Sequence, residues 1–127
     1  MFIAGDPSGD QNTAPIIRQI YKSIPGSACY GIGGPMMQAE GFKTLLPFEE
    51  FNRMGYLEVL INIRFFIKAK KLLIKELKAN PPQILVCIDY SGFNTQIMKA
   101  AHALGIPVLW YIAPKAWAWK KKKHYFA

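Results

Sequence analysis

The amino-acid sequence predicts an α/β fold, in which a parallel sheet is flanked by helices. The first observation is that short apolar stretches alternate with longer amphipathic ones along the 127 residues. The second is the run of apolar residues at 84–88, which follows Pro81-Pro82 and ends at a carboxylate, Asp89. Such a run is typical of a strand buried on both faces of a parallel sheet. Because ligands of open α/β sheets bind beyond the carboxyl ends of the strands, Asp89 lies where a site is expected.

The order of the elements follows from hydrophobic periodicity and from the positions of proline and glycine. We predict a strand at 1–4, a helix that ends at Pro25-Gly26, a strand at 27–32, a short helix at 36–40, a strand at 43–46, a loop at 47–55, a long helix at 56–79, the strand at 84–88, a helix at 95–104 and a strand at 108–112. In the second half, Asn94 or Thr95 is placed to cap the helix that follows the central strand. Together these elements form a Rossmann-like, doubly wound unit.

The composition limits the class of protein. The chain is 51% hydrophobic and 19% charged, which indicates a globular domain. Its formal net charge of +8 suggests an anionic partner. Cys29 and Cys87 both lie in apolar stretches without metal-binding spacing, so we expect buried, reduced thiols in a cytosolic protein. We expect neither a membrane span nor a signal peptide, since no apolar run reaches ~18 residues and the apolar start is too short.

The loop after the first strand, Gly5-Asp6-Pro7-Ser8-Gly9-Asp10, raises the first chemical question. Backbone N–H groups of Ser8 and Gly9 could bind a phosphate at the start of the helix. However, the loop has no Walker lysine, and Asp6 and Asp10 would repel a phosphate dianion. Either Asp10 or Ser8 caps the helix, which is the commoner role, or Asp10 orients or deprotonates a hydroxyl substrate at the sheet edge.

The helix predicted at 56–79 carries a row of cations on one face: Arg64, Lys68, Lys71, Lys75 and Lys78. The opposite face, which includes Ile63, Ile67, Leu73 and Leu77, is expected to pack on the sheet. Three apolar residues of the first turns lie in line with the cations: Leu57, Leu60 and Ile61. A plain solvated face is the simpler interpretation. The alternative is a membrane contact, in which the apolar residues enter the leaflet and the cations meet anionic head groups.

The end of the chain combines Trp117 and Trp119 with four lysines at 120–123. Aromatic residues stack on bases and lysines bind phosphates, so this segment could suggest nucleic acid. Tryptophans that follow a strand and a proline more commonly pack beneath the sheet edge. We therefore expect no nucleic acid as partner.

Five motifs, taken together, identify a resemblance. They are Gly5-Asp6-Pro7-Ser8-Gly9-Asp10, Gly33-Gly34-Pro35-Met36-Met37, Met54-Gly55-Tyr56-Leu57-Glu58-Val59-Leu60, Ile88-Asp89-Tyr90-Ser91-Gly92-Phe93-Asn94, and Tyr111-Ile112-Ala113-Pro114-Lys115-Ala116-Trp117-Ala118-Trp119. In this order and spacing they resemble the lipid-A-disaccharide synthase family over nearly the whole chain.

The resemblance implies a GT-B glycosyltransferase with two Rossmann-like domains. Such an enzyme transfers 2,3-diacylglucosamine from its UDP derivative to 2,3-diacylglucosamine 1-phosphate, with inversion and without a metal or other cofactor. The chain resembles only the first part of the N-terminal domain, and the C-terminal donor domain is absent. The resemblance further implies a cytoplasmic protein bound peripherally to the inner face of the bacterial inner membrane. We expect the chain alone to be inactive.

The candidate site residues follow from the matched motifs. Asp89 and Asp10 are the candidates for the general base, and Ser8, Gly9 and Asn94 are candidates for substrate binding. The sequence departs from the family at Asp6, where glutamate is usual, at Gln11-Asn12-Thr13, and at Gly92, where many members have a second acidic residue. Two other classes stay open: a nucleotide- or nucleic-acid-binding α/β module without glycosyl transfer, and a non-catalytic remnant that binds membranes.

Overall fold

A computed structural model describes residues 1–52, 63–88 and 91–111. The elements in these ranges are β1 (Phe2–Ala4), α1 (Pro7–Ser23), β2 (Tyr30–Ile32), α2 (Pro35–Ala39), β3 (Lys43–Thr44), α3 (Phe48–Asn52), α4 (Ile63–Ala79), β4 (Leu85–Ile88), α5 (Ser91–Ala103) and β5 (Val108–Tyr111).

The strands form one sheet in the order β3-β2-β1-β4-β5, and all neighbouring pairs are parallel. The chain moves outward from β1 to β3 and then crosses back to place β4 on the other side of β1. The strand order therefore reverses between β1 and β4, which is the switch point of a doubly wound sheet. The predicted α/β, Rossmann-like fold is confirmed.

Apolar side chains fill both sides of the sheet. On one side, Ile3, Leu85 and Cys87 pack with Leu73 of α4 and Ile97 of α5. On the other side lie further core residues, contributed by the strands and by α1 and α2: Phe2, Ala4, Val86, Ile88, Ala14, Ile17 and Met37. Alternate residues of β1 and β4 point to opposite layers, which explains why these strands are apolar at every position.

The prediction of a loop at 47–55 is wrong for its first part, because α3 occupies Phe48–Asn52. Phe51 is 1% exposed, and its ring makes edge-on contacts with Phe65, Phe66 and Phe93, with centroids 5.0–5.8 Å apart. These partners come from α4 and α5. Packing on them, rather than local helix propensity, holds this short helix in place.

Other boundaries differ from the prediction: β2 begins at Tyr30 rather than at residue 27, and β3 ends at Thr44 rather than at residue 46. Helix α5 begins at Ser91, so Asn94 and Thr95 lie inside its first turns, and the prediction that one of them caps the helix is wrong. Of the helix predicted at 56–79, the part from Ile63 to Ala79 is confirmed. Residues 56–62 lie outside the described ranges.

Helix α4 buries a narrower face than predicted. Ala69, Leu73 and Leu77 are buried, but Ile63 and Ile67 remain 52% and 46% exposed, so their predicted burial against the sheet is wrong. Because successive helical residues are turned by about 100°, both isoleucines lie beside the stripe that faces the core. They separate the buried stripe from the row of cations.

Candidate functional site

The carboxyl ends of β1 and β4 meet at one edge of the sheet. Ala4 is in register with Ile88, and Ile3 is in register with Ile32 of β2. The loops that leave β1, β2 and β4 therefore begin side by side. This is the edge at which open α/β sheets bind ligands.

Asp6 caps helix α1. Its backbone is extended, with φ −134° and ψ 163°, and its Oδ1 accepts a hydrogen bond from the Gly9 N–H at 2.6 Å. Pro7 follows as the first helical residue, where its missing N–H costs nothing. The prediction that Asp10 or Ser8 caps this helix is therefore wrong.

Asp10 caps a different helix, α2. Its side chain is buried, and its carboxylate accepts three backbone N–H groups: Oδ1 accepts from Gly34 at 3.1 Å and Met37 at 2.9 Å, and Oδ2 accepts from Met36 at 3.0 Å. Gly34 is the residue that precedes α2, and having no side chain it provides no cap of its own. Asp10, a residue of α1, thus accepts hydrogen bonds from the N–H groups at the start of α2. In most helices a serine or aspartate at the capping position itself accepts these bonds.

Ser8, Gly9 and Asn94, the predicted substrate-binding residues, differ in their surroundings. Ser8 is exposed, and its Oγ accepts a hydrogen bond from Asn12 Nδ2 at 3.3 Å. Gly9 is buried, and its N–H already donates to Asp6. Asn94 is fully buried, and its Nδ2 donates to the Ile88 carbonyl at 3.4 Å. The structure therefore places Asn94 as a tie between α5 and the end of β4.

Several predicted site residues lie outside the described ranges, namely Asp89, Leu57, Leu60 and Ile61, together with Trp117 and Trp119. The residue before Asp89, Ile88, is 1% exposed and ends β4 beside Ala4. The role of Asp89 stays a prediction.

The cations of α4 are arranged as the sequence predicted. Arg64, Lys68, Lys71, Lys75 and Lys78 are all exposed. Exposed Ile63 and Ile67 adjoin this row, so an apolar strip and a basic strip run side by side. In the described ranges, no helix is both long enough and apolar enough to span a bilayer.

An apolar groove of about 360 Å³ lies elsewhere, between α1 and the sheet. Its walls include Ile20 of α1, Ile24 just after that helix, Ile84, and Leu109 and Tyr111 of β5. Of the predicted site residues that the structure describes, Ser8, Gly9, Asp10 and Asn94 do not line it.

The two cysteines are buried and unpaired with each other, as predicted. Burial raises the pKa of the Cys87 thiol to about 12 and also raises the pKa of Cys29. A thiol with so high a pKa forms little thiolate and is a poor nucleophile. Across the described parts of the chain, no three His, Cys, Asp or Glu side chains are grouped to hold a metal ion.

Sequence reasoning missed two structural features of the site. One is the contact between Asp10 and the Gly34 turn, for which the signal was a Gly-Pro helix start without a capping side chain. The other is the aromatic cluster around Phe51, whose signal was the apolar pair Phe48 and Phe51 at helical spacing.

Comparison with known proteins gives a consistent result. Residues 1–126 match the profile of a family described as Lipid-A-disaccharide synthetase. The chain is 38% identical over 122 residues to the Lipid-A-disaccharide synthase of Alteromonas mediterranea, covering 96% of this chain and 32% of that protein. It is 37% identical over 120 residues to the enzyme of the same name from Francisella philomiragia, covering 94% of this chain and 32% of that protein. It is also 37% identical over 120 residues to the enzyme of that name from Geobacter metallireducens, covering 94% of this chain and 31% of that protein. The chain thus spans about a third of the length of these relatives.

Proposed function

The chain belongs to the lipid-A-disaccharide synthase family, and from this premise we propose that it supplies the N-terminal part of a glycosyltransferase. The complete enzyme transfers 2,3-diacylglucosamine from its UDP derivative to 2,3-diacylglucosamine 1-phosphate, with inversion and without a metal. The single observation that carries the proposal is the family match over residues 1–126. The switch point between β1 and β4 supports it, because it offers a binding edge for a substrate.

The remaining two-thirds of the relatives' length would contain a second Rossmann-like domain that holds the UDP-sugar. In this arrangement the chain described here binds the acceptor sugar. The two domains would enclose the reacting hydroxyl and the anomeric carbon between them. The chain alone is then inactive, since it lacks the donor site.

Asp89 is the proposed general base. An inverting transfer requires one group that takes the proton of the acceptor hydroxyl as the anomeric carbon is attacked. Asp89 follows directly after Ile88, the last residue of β4, at the edge where β1 and β4 meet. Asp10, the other candidate, is buried, and both of its carboxylate oxygens already accept backbone N–H groups. Three of the roughly four lone-pair sites of the carboxylate are thereby occupied, which makes Asp10 a weaker candidate for the base.

The proposed substrate-binding residues act in different ways. The exposed hydroxyl of Ser8 lies in the first turn of α1 and can bond to a sugar hydroxyl or to the phosphate of the acceptor. Gly9 allows α1 to approach the sheet closely, since a Cβ there would lie 3.1 Å from Ile88 Cγ2. Asn94 holds the first turns of α5 against the end of β4 through its bond to the Ile88 carbonyl.

The proposed partner surface is an anionic membrane, the inner face of the bacterial inner membrane, from which diacylated substrates would be drawn. The exposed row of Arg64, Lys68 and Lys71 supplies positive charge, and Ile63 and Ile67 supply apolar contact. Leu57, Leu60 and Ile61 would extend that contact. Anionic head groups attract such a row by about 1 kcal/mol for each cation near the surface.

The proposal is tested by completing the enzyme. The chain is joined to the C-terminal two-thirds of the Alteromonas mediterranea relative, and formation of disaccharide 1-phosphate from the two diacylated substrates is measured. We expect turnover by the joined protein and none by the 127-residue chain. Disaccharide formation by the chain alone would contradict the need for a second domain. A joined protein that folds and binds UDP but forms no disaccharide would contradict the proposed function.

A further inference from the structure

We propose that Asp10 is a positioning residue for the transfer reaction: it fixes the first turn of α1 between the head of α2 and the end of β4, the strand whose last residue, Ile88, is bonded to Asp89. The inference rests on the proposed function, since it assumes that Asp89 is the base. It assigns Asp10 a part in the reaction that differs from proton transfer.

The first step is the contact with α2. Three N–H groups of one turn, from Gly34, Met36 and Met37, converge on the two oxygens of one carboxylate at 2.9–3.1 Å. The carboxylate also lies at the N-terminal end of α2, where the partial positive charge of the helix favours an anion. Asp10 and these N–H groups are buried or partly buried, so water competes little for the three bonds. The head of α2 is thereby fixed to α1.

The second step is the lack of free space around that carboxylate. A Cβ at Gly34 would lie 2.5 Å from Asp10 Oδ2 and 3.0 Å from a ring carbon of Phe48. A Cβ at Gly33 would lie 2.7 Å from Phe42 and 2.9 Å from Met37. The Gly34 backbone and the Asp10 carboxylate are therefore in direct contact, with no room between them for a methyl group. We infer that a displacement of one displaces the other.

The third step connects Asp10 to the end of β4. Gly9, its neighbour in the chain, packs so closely on the sheet that a Cβ would lie 3.1 Å from Ile88 Cγ2 and 3.4 Å from Ala4 Cβ. Ile88 immediately precedes Asp89. A movement of the first turn of α1 is thus transmitted directly to the last residue of β4, because protein interiors are close-packed and transmit strain.

A purely local capping role predicts something different. In that case the loss of Asp10 would disturb the α2 turn but leave Ile88 and Asp89 unchanged. A positioning role requires that both the α2 turn and the end of β4 change when Asp10 is replaced. The two possibilities are distinguished by observing each end separately in the same variant.

The experiment is NMR on the 127-residue chain, which does not depend on turnover. In the unmodified chain, the amides of Gly34, Met36 and Met37 should exchange slowly, although first-turn amides have no acceptor within their helix. Fast exchange at all three would overturn the contact on which the inference depends. In Asp10→Asn, we expect exchange at one or more of these amides to accelerate at least about tenfold. The side-chain NH₂ of the asparagine is a donor, so a backbone N–H that faces it loses its acceptor. We also expect shifted signals at Ile88 and at the Asp89 carboxyl.

The matched control is Glu40→Gln. Glu40 also joins α2 to α1, through an exposed ion pair in which its Oε1 accepts from Arg18 Nε at 3.0 Å. This variant should leave the signals of Ile88 and Asp89 unchanged. If Asp10→Asn shifts these signals no more than Glu40→Gln does, the positioning role is excluded.

A second variant covers the case in which Asp10→Asn does not fold. Gly34→Ala keeps the carboxylate but displaces it, and it should shift Ile88 and Asp89 in the same way. In the joined enzyme, Asp10→Asn should lower kcat about tenfold and leave unchanged the limb of the pH–rate profile that reports the base. Loss of that limb in Asp10→Asn would show that Asp10 is itself the base. That result would contradict the inference without contradicting the proposed function.

Discussion

Asp10 occupies the space in which a side chain at position 34 would lie. A Cβ at Gly34 would approach Asp10 Oδ2 to 2.5 Å, although the backbone there, at φ −90° and ψ −170°, suits any residue. The glycine is therefore required by its neighbour across the α1–α2 contact and not by its own conformation. The same carboxylate that excludes a side chain at this position also provides the cap that the missing side chain cannot provide.

This relationship predicts non-additive effects on stability. Asp10→Ala should lower the free energy of unfolding by about 2–4 kcal/mol, because buried N–H groups lose their acceptor. Gly34→Ala should cost about 2 kcal/mol in the wild-type background, through overpacking. It should cost clearly less beside Asp10→Ala, which removes the closest contact and leaves only the one with Phe48. Urea titrations of the two single variants and the double variant measure the coupling, expected at about 1–2 kcal/mol. Additive costs would contradict mutual exclusion.

The amino group of Met1 predicts a dependence of stability on pH. It donates to the Ile84 carbonyl at 2.9 Å, and burial lowers its pKa from 8.0 to about 6. Between these values the unfolded chain binds a proton that the folded chain does not. Stability should therefore fall by about 2 kcal/mol as the pH is lowered from 8 to 6, and this contribution should level off within about one pH unit below 6.

Urea titrations at half-unit pH intervals check this prediction. The matched control is the same chain acetylated at its amino terminus, which cannot titrate in this range. Its stability should lack the slope between pH 6 and 8. An equal slope in both chains would assign the dependence to other groups.

Cys87 should be chemically inert in the folded chain. Because its side chain is fully buried and its pKa is raised to about 12, thiol reagents at pH 8 should modify it only through unfolding. The rate of modification, followed by mass spectrometry at increasing urea, should rise with the unfolded fraction. Modification in the absence of urea at the rate of a free cysteine would show that β4 opens locally.

The row of cations on α4 should determine binding to anionic vesicles. Lys68→Glu combined with Lys71→Glu should weaken binding at least about tenfold at low salt, and raising the salt should reduce the difference. Lys22→Glu combined with Lys43→Glu makes the same change in net charge on exposed residues outside α4. It should weaken binding much less. Equal losses in the two double variants would leave the row as a solvated face.

Asp89 and Asp10 should differ in their effect on turnover when each is replaced in the joined enzyme. Asp89→Asn should lower turnover by ~10²–10⁴, the usual contribution of a general base, with acceptor binding near normal. Asp10→Asn should lower it far less. The measurement is kcat and KM for both variants. Near wild-type turnover of Asp89→Asn would place the proton acceptor elsewhere, in the part of the enzyme that lies beyond this chain.

The fold was predictable because its signals are local. The apolar run at 84–88 and the alternation of helical and strand-like segments are visible in short windows, and the parallel sheet follows from them. Helix α3 was not predictable in this way, since Phe51 is held by rings of α4 and α5. A few residues whose conformation is decided by distant partners leave little trace in the local pattern.

The candidate site, like the fold, was predictable only where its signals are local. From the sequence, Asp10 was expected in the turn that leads into α1, as its cap or as a catalytic group, whereas the structure places it inside the first turn of the helix. Its partners in α2 were not predicted. Gly34 lies 24 residues away along the chain, and nothing local to either residue indicates the other. The actual cap of α1, Asp6, is a standard capping type in a standard position. Asp10, in the same loop motif, is also a standard capping type, so residue type alone does not distinguish the two.

Strand β5 favours self-association of the chain, and the positive net charge opposes it. It ends the described sheet, with Val108, Leu109 and Tyr111 each at least 36% exposed, so it can accept a strand from another molecule. A net charge of +8 keeps molecules apart only while salt is low. Added salt should therefore promote self-association of this protein while it weakens the proposed attachment to anionic lipid, and a buffer chosen to detach the chain from vesicles should favour its precipitation.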